Sequence, residues 1–179
     1  MSHAKLIRRI LSDYKLRPDG LHGLGHWARV LSIARRLAEQ TGVRRDVLEC
    51  FALFHDARRF GEGHDPGHGP RAAIYVCELG PRALGLDAEG LDLLQRACHG
   101  HTEGRTSDEP TIGACWDADR LDLPRAGIHA DPHLLSTPAA RHVELIEWAR
   151  GRSCAGTIPD MISKEWGIDN LPGPGHAAE

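Results

Sequence analysis

The feature that most constrains this chain is a histidine followed directly by an aspartate, His55-Asp56. The pair ends an apolar run that contains Val47, Leu48, Cys50, Phe51, Ala52, Leu53 and Phe54. Two ionisable neighbours at the end of a buried segment need compensation. Burying a charge without a partner is costly, and a divalent metal is one such partner. The competing reading is a helix C-terminus where both side chains meet water. The neighbouring segments decide between the two.

Strand formers are sparse and aromatic residues make up only 5% of the chain, so an all-α fold is expected. At 179 residues, one domain with a sizeable core is the simplest organisation. A net charge of −3 gives no reason to expect a nucleic-acid or anionic-membrane surface. No run approaches the ~20 apolar residues needed to span a bilayer, and the N-terminus lacks a signal-peptide stretch. The five cysteines, at 50, 77, 98, 115 and 154, form no Cys-x-x-Cys pair. That argues against a zinc ribbon or dithiol motif and for a reducing, cytosolic compartment. Twelve histidines are the anomaly. Histidine is the commonest metal ligand and a general acid or base near neutral pH. His3, near the start, and His176, in the tail, are set aside.

Apolar periodicity predicts seven helices and separates inward histidines from outward ones. The first covers residues 4–16, with Leu6, Ile7, Ile10, Leu11 and Tyr14 on one face. In the second, His26 continues the stripe of Val30, Ile33, Ala34 and Leu37, and Gly42 reads as its stop. His22 lies four residues earlier, beside glycines, at or before the helix start. A third helix over about 44–58 aligns His55 with Val47, Leu48, Phe51 and Ala52. Asp56 is about 100° further round, and Arg58 and Arg59 follow. Residues 60–70 are a polar, glycine-rich loop with His64 and His68, from which a fourth helix starts near 68–70. A fifth, about 87–101, carries Leu94, Ala97 and His101 on one face, whereas His99 follows Gln95 and Arg96 and faces out. In a sixth, over 111–123, Asp119 is backed by Ile112 and Cys115, and Asp117 by Gly113 and Ala114. Asp119 is the preferred inward carboxylate and Asp117 the alternative. After an irregular loop over 124–138 with His129, Asp131 and His133, a seventh helix covers about 138–150. The chain is expected to form a helical domain over 1–150, with its motif-bearing core at about 20–125. An extension over 151–179 follows, its last eight or so residues mobile.

Facing and context thus select His26, His55, Asp56, Asp119, His68 and His101. Neutral imidazole nitrogens and carboxylate oxygens suit Mn, Fe, Zn, Co or Mg without any thiolate. Four such ligands hold one metal with open positions, and six hold two, with Asp56 as the bridge.

These residues resemble a known family. His26-x-x-Arg29-Val30, His55-Asp56 and Ala118-Asp119-Arg120-Leu121 are similar to the His…His-Asp…Asp signature of the HD-domain superfamily of metal-dependent phosphohydrolases, over roughly residues 20–150. The resemblance implies an all-α bundle with a central metal site. It implies His26, His55, Asp56 and Asp119 as ligands, which favours Asp119 over Asp117. His68-Gly-Pro-Arg-Ala-Ala and His101-Thr-x-Gly-Arg resemble the extra histidines of the two-metal branch. The Gly-Tyr-Pro signature of cyclic dinucleotide hydrolases is absent. So is the His-Asp-x-x-Glu-Asp arrangement of guanosine tetraphosphate hydrolases, because Asp56 is followed by Ala-Arg-Arg-Phe.

The reading that results is a metal-dependent phosphohydrolase with one or two divalent ions, acting on a small phosphate ester, a nucleotide first. Asp56, His22 and Arg59 are its candidate catalytic residues. Arg58 and Arg71 are further candidates to neutralise charge, and His22 to assist proton transfer. Two alternatives keep the fold: a di-iron oxygenase, and a non-catalytic metal- or nucleotide-binding signalling module.

Overall fold

The computed structural model describes residues 2–41 and 43–168. The Gly42 helix stop, His176 and the tail expected to be mobile lie outside the described residues. Among those residues there is no strand, and no helix is long and apolar enough to cross a membrane. The helices are α1 (His3–Leu11), α2 (Leu24–Thr41), α3 (Arg45–Phe54), α4 (His68–Leu79), α5 (Pro81–Leu84), α6 (Ala88–Gly100), α7 (Pro110–Arg120), α8 (Val143–Cys154) and α9 (Asp160–Trp166). Short 3-10 turns occupy Leu123–Ala126, Pro132–Leu134 and Ala139–Arg141.

The core forms where four helices share apolar faces. α2 packs on α3 and α7, α6 packs on α3 and α7, and α3 touches α7. Trp27, Val30, Leu31, Ala34 and Leu37 of α2 are fully buried, as are Leu48, Phe51 and Phe54 of α3. Each large side chain of this kind contributes about 1.5–3 kcal/mol of transfer free energy. α4 lies along α6. Two caps set the register of α6 and α7: Asp87 accepts from the Gly90 N–H at 2.7 Å, and Glu109 from Ile112 at 2.6 Å. Gly85 ends α5 in the left-handed region (φ 78°), where a Cβ would be strained.

Several helix ends differ from the periodicity, each for a local reason. α1 stops at Leu11, because the Ser12 hydroxyl donates to the Arg9 carbonyl and Tyr14 turns away to donate to the His22 carbonyl. α3 stops at Phe54, so His55 is its C-cap, Asp56 and Arg58 sit on a turn, and Arg59 lies just beyond it. α7 stops at Arg120, ahead of Pro124, which has no N–H to continue a helix. α8 starts at Val143, not 138, after a 3-10 turn in which the Ala140 N–H donates to the Thr137 hydroxyl. The boundary expected at 150 falls inside α8. Beyond it, α9 was not foreseen: its Ile162 and Trp166 are buried, and it packs on α1 and α2. Residues 151–168 are thus part of the packed body.

Replacing Trp166 with alanine should therefore lower unfolding stability by about 3 kcal/mol in urea titration. A free, unpacked extension would leave the midpoint unchanged.

Candidate metal centre

The end of α3 delivers His55 and Asp56 into the middle of the core, where both are almost fully buried. His26 arrives from the first turn of α2 and Asp119 from the last turn of α7. His26 Nε2 stands 2.9 Å from His55 Nε2, 3.4 Å from Asp119 Oδ1 and 3.6 Å from Asp56 Oδ2. His55 Nε2 lies 3.7 Å from each of those two carboxylates. On the other side of Asp56, His68 Nε2 is 3.1 Å and His101 Nε2 3.8 Å from Oδ1, and the two ring nitrogens are 2.8 Å apart. The two oxygens of Asp56 thus face two different sets of imidazoles. His68 and His101 meet because α4 presses closely on α6. A Cβ on Gly69 would stand 2.7 Å from the Cys98 carbonyl oxygen, so only glycine permits this approach.

The second nitrogen of every ring is tied off. His26 Nδ1 donates to Asp122 Oδ2 at 2.8 Å, His55 Nδ1 to the Phe51 carbonyl at 3.0 Å, and His101 Nδ1 to the Cys98 carbonyl at 2.7 Å. His68 Nδ1 donates to the Asp65 carbonyl. Carbonyl acceptors require a proton on Nδ1, which leaves the Nε2 lone pairs pointing at one another and at carboxylates. Lone pairs this close repel unless a cation lies between them, and a divalent metal fits this donor set. Burial pushes His55 down to about 3, so its ring is neutral. Burial opposes ionisation of Asp56, yet His55, His101, His68 and His26 hold its carboxyl well below the usual range. Asp119 is lowered in the same way, against burial, by His26 and His55.

The centre opens into a cavity of about 350 Å³ lined by His22, Asp56, Arg59, His68, His101, Thr102, Gly104, Arg105, Asp119, Arg120, Leu123, Arg125 and Leu134. His22 Nδ1 is 2.6 Å from Glu62 Oε2, and its ring lies edge-on to His26 at 6.3 Å. Burial lowers the His22 pKa, against the pull of Asp56 and Glu62. Arg59 is buried. Its Nη1 donates to Asp56 Oδ1 at 3.4 Å and lies 3.2 Å from His68 Nε2, while Nε and Nη2 hold the Gly61 and Gly63 carbonyls. Arg59 therefore braces the glycine-rich loop against Asp56.

The other expected arginines lie elsewhere. Arg58 pairs with Asp13 at 2.5 Å and sits over Tyr75; Arg71 pairs with Asp65 at 2.5 Å and sits over Phe60. Neither lines this cavity. Asp117 accepts from the Ser136 N–H at 2.6 Å and from the Thr137 N–H and hydroxyl at 2.8 Å, so it anchors the 136–137 loop. His64, His99, His129 and His133 are exposed. Asp122, Glu62, Arg105, Arg120 and Arg125 were not singled out from the sequence. Asp122 is fully buried and holds both His26 and Arg29 (Nε to Oδ1, 2.7 Å). Its only sequence signal is the spacing of one turn from Asp119.

Comparison with known proteins places these residues in context. The model of the HD domain matches residues 23–124. No curated protein matches the sequence. A crystal structure of a predicted HD superfamily hydrolase from an uncultured Thermotogales bacterium is similar over 92% of this chain and 91% of its own. That similarity has a TM-score of 0.62 and 26% identity.

Three substitutions separate the aspartates. Asp119→Asn and Asp122→Asn should weaken metal binding in titration calorimetry, the second by about 10–100-fold through loss of His26 orientation. Asp117→Asn should leave affinity near that of the parent while lowering the thermal midpoint. An affinity loss confined to Asp117→Asn would overturn the assignment.

Proposed function

Because this chain belongs to the HD-domain family, we propose that it is a metal-dependent phosphohydrolase cleaving a small phosphomono- or phosphodiester, a nucleotide first. The family and the hydrolase description of the Thermotogales protein support hydrolysis. The observation that carries the phosphate reading is the lining of the cavity over the centre. Apart from Asp56 and Asp119, which face the imidazoles, its charged residues are Arg59, Arg105, Arg120 and Arg125. Guanidinium groups suit phosphoryl oxygens through paired N–H donors.

We assign His26, His55, Asp56 and Asp119 to one divalent ion, and Asp56, His68 and His101 to a second. Mn, Fe, Co, Zn or Mg all suit nitrogen and oxygen donors. Such an ion would polarise a phosphoryl oxygen and lower the pKa of a coordinated water. The protein's own groups supply the rest. Arg120 has both terminal nitrogens committed, to the Leu134 and Gly104 carbonyls, so it shapes the wall. Arg105 is exposed at the cavity and has no ion pair among the described residues, which leaves it available for substrate charge. His22, held by Glu62 through Nδ1, keeps Nε2 free to move a proton at the leaving group. Arg59 orients Asp56 and His68 and adds its positive charge to the cavity wall. The free thiols at Cys50, Cys77, Cys98, Cys115 and Cys154 support placement in a reducing compartment, the cytosol.

A panel of phosphomonoesters, phosphodiesters and nucleotides, assayed with each of the five metals, tests this. Hydrolysis is expected with at least one combination and lost in Asp56→Ala. His22→Ala should reduce kcat by about 100-fold with metal content unchanged. Turnover that survives in Asp56→Ala overturns the mechanism. Nucleotide binding without hydrolysis by any metal form would point to a binding module instead.

A further inference from the structure

A second cavity, of about 410 Å³, lies on the other side of Arg125 from the arginine-lined one. Its walls come from the 18–21 loop, the first turn of α2, the 3-10 turn after α7, and the 153–158 segment. Pro18, Leu21, Leu24 and Ile158 make the lining partly apolar, and Arg29 and Arg125 make it cationic. Asp19 also lines it, but its carboxylate is engaged by Arg17 at 2.7 Å.

The two arginines are nine-tenths buried, with side chains only 7% exposed, and share the single carboxylate of Asp122. Arg29 gives Asp122 its Nε. Among the described residues its two terminal nitrogens have no acceptor, and Nη1 lies on the cavity wall, where it would be 3.4 Å from a Cβ on Gly25. Arg125 uses Nε on the Leu21 carbonyl and Nη1 on the Asp122 carbonyl, which leaves Nη2 without an acceptor there. These N–H groups open onto the cavity rather than being sealed from solvent, and two largely buried cations against one carboxylate leave positive charge on its wall.

The α2 N-terminus adds donors to the same wall. The Leu24 N–H is taken by the Pro18 carbonyl and the Trp27 N–H by the Gly23 carbonyl, but Gly25 and His26 have no backbone acceptor among the described residues. Gly25, with no side chain, keeps the space beside Arg29 open.

We propose that this cavity binds the anionic head group, phosphate or carboxylate, of a small molecule whose apolar part rests on Leu21, Leu24 and Ile158. Arg29 and the α2 N-terminus converge on one anion, as forked N–H donors and helix N-termini do. The cavity adjoins the metal centre, sharing Arg125 with the cavity over it and reaching His26 from the other face. It touches that centre through Arg29, which holds Asp122, which in turn holds His26.

The test is a 1H–15N correlation titration of the full-length, zinc-loaded protein with sodium phosphate and, separately, sodium acetate at fixed ionic strength. The amides of Gly25, Ala155 and Gly156 report this cavity, and those of His101, Thr102 and Gly104 report the metal face in the same spectrum. Saturating shifts at the first set with either anion are expected, and the anion that saturates at lower concentration identifies the head group. Gly25→Val and Ile158→Trp should each weaken that binding by about tenfold or more. Three results overturn the proposal: shifts confined to the metal face, a non-saturating drift across the surface, or saturation unchanged in both filled variants.

Discussion

The centre of this molecule depends on one buried carboxylate. Asp56 has almost no exposure and, among the described residues, no lysine beside it; Arg59 reaches only one of its oxygens, at 3.4 Å. What surrounds it instead is imidazole, two rings facing each oxygen. Imidazoles whose Nδ1 protons are already given away do not offset a buried negative charge as well as a divalent cation does. The arrangement is therefore electrostatically incomplete as a purely protein structure. It becomes balanced when divalent charge occupies the space between the Nε2 atoms. Fold and site are the same problem here: the helices that meet at the core are also those that supply the donors.

The all-α fold, and the inward facing that brings these side chains together, were legible in the sequence because helical periodicity reports direction. His26 and His101 continue apolar stripes, so their inward facing follows from spacing, while His99, off the stripe, is exposed. The choice between Asp117 and Asp119 was harder for a physical reason. Both are backed by small or apolar residues, and both are drawn inward. What separates them is tertiary: Ser136 and Thr137 come back from a loop 19 and 20 residues away to satisfy Asp117, while among the described residues no backbone donor reaches Asp119.

The residues that were not legible are those whose roles rest on long-range geometry. Glu62 matters only because the glycine-rich loop folds it onto His22, 40 residues earlier in the chain. Arg58 and Arg59 are adjacent in sequence, yet the turn after α3 sends Arg58 to Asp13 on the surface and Arg59 under the loop. α9 escaped because two buried side chains, Ile162 and Trp166, are enough to dock a helix of seven residues when α1 supplies the other half of the interface. Low apolar density was a poor guide there, since docking depends on where the few apolar residues fall.

Asp122 shows how far the constraint propagates. It orients His26 through one oxygen and holds Arg29 through the other, both at hydrogen-bond distance and both buried. A carboxylate in that position serves two masters. Burial opposes its ionisation, and the His26 and Arg29 hydrogen bonds hold its pKa low. Its charge then stabilises the His26 tautomer whose Nε2 faces the centre. Arg29 cannot be neutralised fully by a carboxylate already shared in this way, so positive charge is left on the far side of α2. The imbalance that a metal offsets at the core is thus matched by one of opposite sign at the next cavity. Both arise from the same economy, in which a small helical core supplies each buried charge with half a partner.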